Sequence, residues 1–392
     1  MTTRSTLPST VYLLGLTIFS LVTAEFMVAG MMPALAEAFS VSLAKVGNLI
    51  ALYALGMALG GPPVTVLLLS RGISNKRALV GLLVMYVASG ALAAAAPSYT
   101  VLALARILMG ISSAACIGLC MTLCAGLVEH RARGRAIAVV LAGLMLSPVA
   151  GVPMTAWAEQ HYGWRASSWL VVALALLCTA LVASRLPAAE AGSEPNLRRQ
   201  WAALKNRSLW GAYITSGLII GATFAAFSYC APILIQEVGI APSHIAPLLA
   251  LYGVANLLGN MVVGRLADSH TLASVGWGLV LMVLALGGFA LAGDHQWLNL
   301  ACFITLGLTG VALNPAMVAR VMKAAEPAAL VNTLHTSVIT AGLAFGSWAG
   351  GSVIDAGYGL RAPLWVGAAM ALLGLLSLAR PWTQREMTRS CA

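Results

Sequence analysis

The chain has 392 residues, of which 60% are hydrophobic and 9% charged. A soluble domain carries roughly 25% charged residues, so this composition leaves too little polar surface to face water and excludes a soluble globular protein. The net charge of +10, from 22 Lys and Arg against 12 Asp and Glu, implies no partner until each charge is placed relative to the membrane.

Apolar runs follow one another at about the 20 residues a helix needs to cross a bilayer, whereas an outer-membrane barrel would show alternating segments of about ten. In chain order, spans are expected at 11–34, 44–69, 78–96, 99–123, 135–158, 166–185, 209–235, 245–264, 272–293, 297–319, 330–353 and 362–380. The first is too long for a secretory signal, carries Glu25 in its middle and lacks a small-residue cleavage site. With the N-terminus inside, eighteen basic residues fall on the cytoplasmic side, Lys45, Arg165 and Arg361 fall outside, and Arg106 lies within a span. The positive-inside rule then sets both termini in the cytoplasm. The basic excess is thereby assigned to topology, and no nucleic-acid partner is expected.

The longest polar stretch, 186–208, sits at the centre of the chain with six spans on either side. The expected organisation is a six-helix bundle over 1–185, a cytoplasmic linker over 186–208 and a second bundle over 209–392. A weak internal echo agrees. Gly61-Pro62-Pro63 and then Ser70-Arg71 and Lys76-Arg77 follow the second span, and Gly264-Arg265-Leu266-Ala267-Asp268 follows the eighth. The fold class is therefore an all-α membrane protein with twelve transmembrane helices in two pseudo-symmetric six-helix bundles. A substrate site between such halves is a known transporter plan.

Short loops leave no room for a soluble catalytic domain, so function is sought in the spans. An ionisable residue there costs about 2.5–3.5 kcal/mol on insertion scales and normally faces the bundle interior. Glu25 and Arg106 are the two charged residues deep in a span. Helix rise places Glu25 roughly 13 Å and Arg106 roughly 10 Å below the outer ends of their spans, so they occupy similar levels. An arginine stays charged while a carboxylate can titrate, and a change in their separation would let Glu25 load and release a proton. The alternative is a static buried pair that fixes helix packing.

The fifth span carries Gly143, Pro148, Gly151 and Pro153. Proline removes backbone donors and bends the helix, and glycine lets a neighbour approach, so the segment suits a hinge or seal in alternating access, or ordinary membrane-helix packing. Asn48, Tyr53, Phe227, Tyr229, Tyr252, Asn256, Asn314, Asn332 and His335 are candidates for the lining of a central cavity, as are Met27 and Met31 beside Glu25. Each could equally be a helix contact. As a set they describe an apolar and aromatic pocket with few charges, suited to neutral, cationic or amphipathic small molecules. Cys116, Cys120 and Cys124 share one face of the fourth span, as small residues at a close helix contact or as a soft-metal stripe; the former is the reading taken, and no metal or other cofactor is expected.

Together these features resemble the major facilitator superfamily, specifically the bacterial twelve-span drug:proton antiporters that include sugar-efflux and chloramphenicol-resistance proteins. Thr23-Ala24-Glu25-Phe26 with Gly30 and Pro33 is similar to the T-x-E-F-x-x-x-G-x-x-P entrance of that group, and Arg106 with Gly110 to its R-x-x-x-G element. Gly143, Pro148 and Gly151 resemble the antiporter pattern G-x-x-x-G-P-x-x-G, with Ser147 replacing the second glycine. The loop pattern G-x-L-A-D-R-x-G-R-R is degenerate: Ser70 stands where an Asp is expected, Arg71, Lys76 and Arg77 keep its basic part, and Gly264 and Asp268 belong to the second-half echo. The resemblance implies proton coupling at Glu25 and Arg106, and export of small drug-like or metabolite molecules across a bacterial inner membrane, driven by the proton gradient. A single chain suffices for that mechanism. A symporter on the same fold and a non-transporting sensor are the other readings; no motif for an enzyme is present in a span.

Overall fold

A computed structural model of the chain describes residues 7–61, 63–64, 67, 71, 73–129, 132–187, 206–267, 269–325 and 329–378. Among them every regular element is a helix. Helix α1 is Ser9–Gly30, continued by Met32–Phe39 after a break at Met31 where Pro33 enters the first turn of the second piece. Helix α2 is Leu43–Leu55, capped by the Ser42 hydroxyl on the Lys45 N–H. Helices α3 (Asn75–Ala94) and α4 (Tyr99–Gly126) follow. Helix α5 is Arg133–Leu146, widened by a π-helical turn at Ser147–Gly151, and it runs on into the helical segment Val152–Arg185.

Arg133–Arg185 is 53 residues of helix, which at 1.5 Å per residue would be roughly 80 Å long, far more than a bilayer needs. The backbone reverses at Gly163 (φ 83°), a conformation that favours glycine. The reversal is fixed by Ser167, whose hydroxyl donates to the Thr155 carbonyl at 2.8 Å across twelve residues of sequence. The segment is thus two antiparallel passes, the second being α6 (164–185). The next helices are α7 (Arg207–Phe227, extended by Cys230–Pro232 and a π-helical turn at Ile233–Glu237), α8 (Ile245–Leu266), α9 (Thr271–Leu291), α10 (Gln296–Thr309, continued to Ala324), α11 (Ala329–Asp355) and α12 (Ala362–Leu376).

Among the described residues, ten segments are long and apolar enough to cross a membrane, with the 53-residue pair counted as one. Helix α12, with 15 residues, is shorter than the expected span 362–380, whose last part lies outside the described residues. The polar stretch expected as a linker lies largely outside them as well, over 188–205. Its two flanks, at Arg185 and Arg207, and the described ends of the chain share one face of the molecule, termed here the linker face.

Glycine spacing explains the close helix crossings. A Cβ on Gly143 of α5 would overlap the Gly15 carbonyl of α1, and a Cβ on Gly342 of α11 would overlap the Gly217 carbonyl of α7. Likewise Gly110 of α4 lies on the Tyr53 carbonyl of α2, and Gly307 of α10 on the Tyr252 carbonyl of α8. Without side chains at these points the backbones approach closely enough for van der Waals packing to hold helices together in lipid. The same crossings recur in both halves of the sequence.

The halves meet through α2 against α11 and α5 against α8. Ser347 Oγ donates to the Gly47 carbonyl at 3.1 Å, and Gln160 Nε2 donates to the Pro242 carbonyl at 2.7 Å. Both bonds lie at the face opposite the linker, one near the start of α2 and the other beside the Gly163 reversal. That face is closed in this structure.

Candidate functional site

Arg106 of α4 is buried, at 2% exposure, and its guanidinium is spread over main-chain acceptors. Nη1 donates to the Ala24 carbonyl at 2.6 Å, Nη2 to the Glu25 carbonyl at 3.0 Å, and Nε to the Leu49 carbonyl at 3.3 Å. A helical carbonyl has a second lone pair beyond its i+4 bond, so α1 and α2 accept these donors without losing helix hydrogen bonds. The planar group also lies over the Tyr53 ring, 4.2 Å from its centroid. Arg106 therefore pins α4 to α1 and α2.

Glu25 is 6% exposed and sits near the middle of the helical stretch from Ser9 to Phe39. Its contact with Arg106 is through its own carbonyl oxygen, and no side-chain ion pair forms between them. Among the described residues no group donates a hydrogen bond to the Glu25 carboxylate. The structure thus brings the two deep charges together while leaving the carboxylate unengaged.

The second half repeats this arrangement with different chemistry. Gly110, four residues after Arg106, lies on the Tyr53 carbonyl; Gly307, four residues after Phe303, lies on the Tyr252 carbonyl. The carbonyl that Gly143 touches, at Gly15, is ten residues before Glu25; the one that Gly342 touches, at Gly217, is ten residues before Phe227. By these contacts Glu25, Tyr53 and Arg106 correspond to Phe227, Tyr252 and Phe303. Where Arg106 lies over Tyr53, the Phe303 ring stacks on Tyr252 at 5.1 Å, and Phe227 stacks on its other side at 4.7 Å. One half carries a charged triad and the other an aromatic one.

The π-helical turn of α5 lies between them. Pro148 has no N–H to complete an α-helical bond, which favours the widened turn. Gly151 is packed on the Thr23 side chain, and the Ser147 and Thr23 hydroxyls are 3.2 Å apart, with Thr23 also donating to the Phe19 carbonyl at 2.7 Å. Ser147, the departure from the expected glycine, is fully buried and used in this contact. On the other side of the turn the Pro148 carbonyl rests against Gly253 of α8, so the segment touches both halves. Pro153 is half-buried at the start of the helix that follows.

The sequence matches the Major Facilitator Superfamily profile over residues 14–331 and again over 214–390. The chain belongs to the major facilitator superfamily. It is 32% identical over 360 residues to the inner membrane transport protein YdhP of Escherichia coli K12, a match covering 91% of this chain and 92% of that protein. It is 30% identical over 376 residues to a chloramphenicol resistance protein of Streptomyces lividans, covering 94% and 95% of the two chains. Among solved structures, a bacterial homologue of the human lysosomal transporter Spinster, inward-facing and occupied, superposes with a TM-score of 0.74 at 17% identity, covering 94% of this chain and 95% of that one. The expected fold is thereby established, and with it a multi-pass membrane transporter of the major facilitator type.

Within this major facilitator protein the remaining candidates divide. Tyr252 and Phe227 are in the aromatic triad, and Asn256 follows Tyr252 by one helical turn. Tyr53 is fully buried beneath Arg106. Met27 and Met31 line a small cavity of about 30 Å³ inside the first half, with Arg106, Met109 and Trp164, rather than the space between the halves. Tyr229 is wedged between α2 and α11 and donates to the Ser347 carbonyl at 2.8 Å. His335 pairs with the Ser216 hydroxyl at 2.9 Å and stacks on Tyr213, within the second half. Asn48 and Asn314 are half-buried, and Asn332 is exposed. Of the loop residues, Arg71, Arg77 and Gly264 are exposed and Lys76 is half-buried; Asp268 lies outside the described residues. The three cysteines of α4 are fully buried side chains. Phe224 and Phe303 were not singled out from the sequence. The i, i+3 spacing of Phe224 and Phe227 was the available signal, and Phe303 needed knowledge of its correspondence to Arg106.

Proposed function

We propose that this protein exports small drug-like or metabolite molecules from the cytoplasm across a bacterial inner membrane, in exchange for protons, by alternating access. The single observation that carries the reading is Glu25, a buried carboxylate near mid-membrane with no hydrogen-bond donor among the described residues. Its neighbour Arg106 has a permanent charge tied to carbonyls, so Glu25 is the group of the pair free to exchange a proton. Proton occupancy and cargo then favour different states, which is the linkage antiport requires. The abundance of basic residues at the linker face supports a cytoplasmic position for that face and both termini. The chloramphenicol resistance protein among the relatives makes chloramphenicol a suitable first probe.

The test uses proteoliposomes with an imposed pH gradient. Cargo movement opposite to the proton gradient is expected, and Glu25→Gln is expected to abolish it while the protein still inserts and unfolds at its usual temperature. Normal gradient-driven transport by well-folded Glu25→Gln would overturn the assignment of the proton site. Movement with the proton gradient would replace antiport by symport.

A further inference from the structure

We propose that Glu159, at the outer end of α5, is a second proton-binding site, and that a proton held there favours closure of the face opposite the linker. The inference goes beyond the exporter reading and rests neither on a cargo nor on the assignment of Glu25.

Its position follows from the length of the pass. From Arg133 to the reversal at Gly163 the helix is roughly 45 Å long, against about 30 Å for a hydrocarbon core, so its last residues stand clear of the core on the outer side. Trp157, His161 and Tyr162 in this stretch are exposed, whereas Ala156 and Ala158 are buried. Glu159 is half-buried.

The buried side of the stretch lies where the two halves meet. A Cβ on Gly30 of α1 would be 3.2 Å from Leu249 Cδ1 of α8 and 3.3 Å from the Ala156 Cβ, so Ala156 marks a junction at which α1 and α5 meet α8 of the second half. At 100° per residue, Glu159 is nearly one turn further out and about 60° around the helix from Ala156. The next residue, Gln160, donates to the Pro242 carbonyl of the second half. Glu159 therefore stands at the outer rim of a three-helix junction that holds while this face is closed.

The charged and titratable groups on the elements packed around it are Glu25 deeper on α1, Glu37 on the continuation of α1, His161 and Tyr162 on the same helix, Arg165 at the start of α6, and His244 ahead of α8. Neither these nor any other described residue forms a hydrogen bond or ion pair with the Glu159 carboxylate. Arg165 donates instead to the Ala96 carbonyl and lies over Trp164, and His161 Nδ1 is bonded to the Trp157 carbonyl. A carboxylate with neither donor nor cation is costly to leave ionised where packed helices keep water from part of it. Taking up a proton removes that cost in the closed arrangement. Once the halves part, water surrounds the group and the ionised form is no longer penalised. Proton binding and closure thus favour each other, and by reciprocity the closed arrangement is most populated at low pH and loses population as pH rises. The proton comes from water at the outer face and returns to it, with no other bond made or broken.

The test reads the face directly, without cargo or pH gradient. Nitroxide labels at Ser42→Cys and Tyr358→Cys, exposed at this face on either half, report opening as a longer-distance population in lipid nanodiscs. A Cys391→Ser, Glu25→Gln background removes the titration of Glu25. Between about pH 5 and about pH 8 the ratio of closed to open molecules is expected to fall about three- to tenfold, tenfold corresponding to one unit of difference in proton affinity between the two arrangements. Adding Glu159→Gln, which keeps the shape of the protonated carboxyl, is expected to hold the ratio at its low-pH value throughout, and Glu159→Asp to restore the fall. Thermal unfolding at both pH values verifies that each variant is folded. A ratio independent of pH before Glu159 is altered, including one with no open molecules at either pH, would overturn the site. A fall of unchanged size in Glu159→Gln would do the same and assign the effect to another group at this face, such as His244. Normal gradient-driven transport by Glu25→Gln would overturn the exporter's proton site and leave this one standing.

Discussion

At the face opposite the linker, the Tyr229 side chain fills the gap between Gly47 of α2 and Gly351 of α11. A Cβ on Gly47 would overlap the Tyr229 hydroxyl, so Gly47→Ala and the present ring position are incompatible. Displacing the ring gives up the bond from Tyr229 Oη to the Ser347 carbonyl, and it disturbs the adjacent bond from Ser347 Oγ to the Gly47 carbonyl. One buried hydrogen bond is worth about 0.5–1.5 kcal/mol net and an overpacked methyl about 1–3 kcal/mol, so the closed arrangement should lose about 2–4 kcal/mol. At 1.4 kcal/mol per decade, the ratio of closed to open molecules falls roughly 30- to 700-fold. The assay is electron–electron distance measurement between spin labels at Ser42→Cys and Tyr358→Cys, both exposed at this face, in a Cys391→Ser background. Gly47→Ala should add a longer-distance population. Tyr229→Leu removes the hydroxyl that the new methyl would strike, so in the double variant the two effects should be far from additive. An unchanged distance distribution in Gly47→Ala, or strict additivity with Tyr229→Leu, would refute the view that this ring holds the face shut.

Two further expectations concern stability. Arg106→Lys keeps the charge but has one ammonium where three nitrogens now reach three carbonyls and lie over Tyr53. Losing two charge-assisted hydrogen bonds should destabilise by roughly 3 kcal/mol or more, read as a clear fall in the unfolding temperature in nanodiscs; an unchanged midpoint would deny Arg106 its pinning role. Gly143→Val should strongly reduce the amount of folded protein, because its Cβ would press on the Gly15 backbone, which has no side chain to move aside. Gly118→Val, where nothing lies within 4 Å, is the control and should leave stability nearly unchanged.

The two deep charges were legible in the sequence because charge is rare there and membrane burial makes it costly. Their relationship was not. Arg106 bonds to main-chain oxygens, and carbonyls are present at every residue, so no pattern of side chains announces which will be used. The crossing of α1 and α5 was foreshadowed by Gly143 and Gly151, yet Ser147 looked like a departure until Thr23 was found against it. The loops after the second and eighth spans gave a faint sign of duplication. The stronger sign, the matching of Glu25, Tyr53 and Arg106 with Phe227, Tyr252 and Phe303, emerges only when the glycine contacts set the two halves in register, because no residue type but tyrosine is shared. Met27 and Met31 line a cavity inside the first half, and the sequence could not foretell which cavity, because methionine suits an internal cavity and an open one equally well.

The separation of a charged triad from an aromatic one also has an electrical consequence. A charge displaced across the full membrane potential exchanges about 2.3 kcal/mol per 100 mV. Both deep charges ride on the first half, and their counterparts in the second are neutral rings. When the halves rock, the field acts on Glu25 and Arg106 together. Their charges cancel while Glu25 is ionised and leave a net positive charge once it is protonated. In the proposed antiport cycle, voltage sensitivity of the rocking step would then be set by a single proton on a single half.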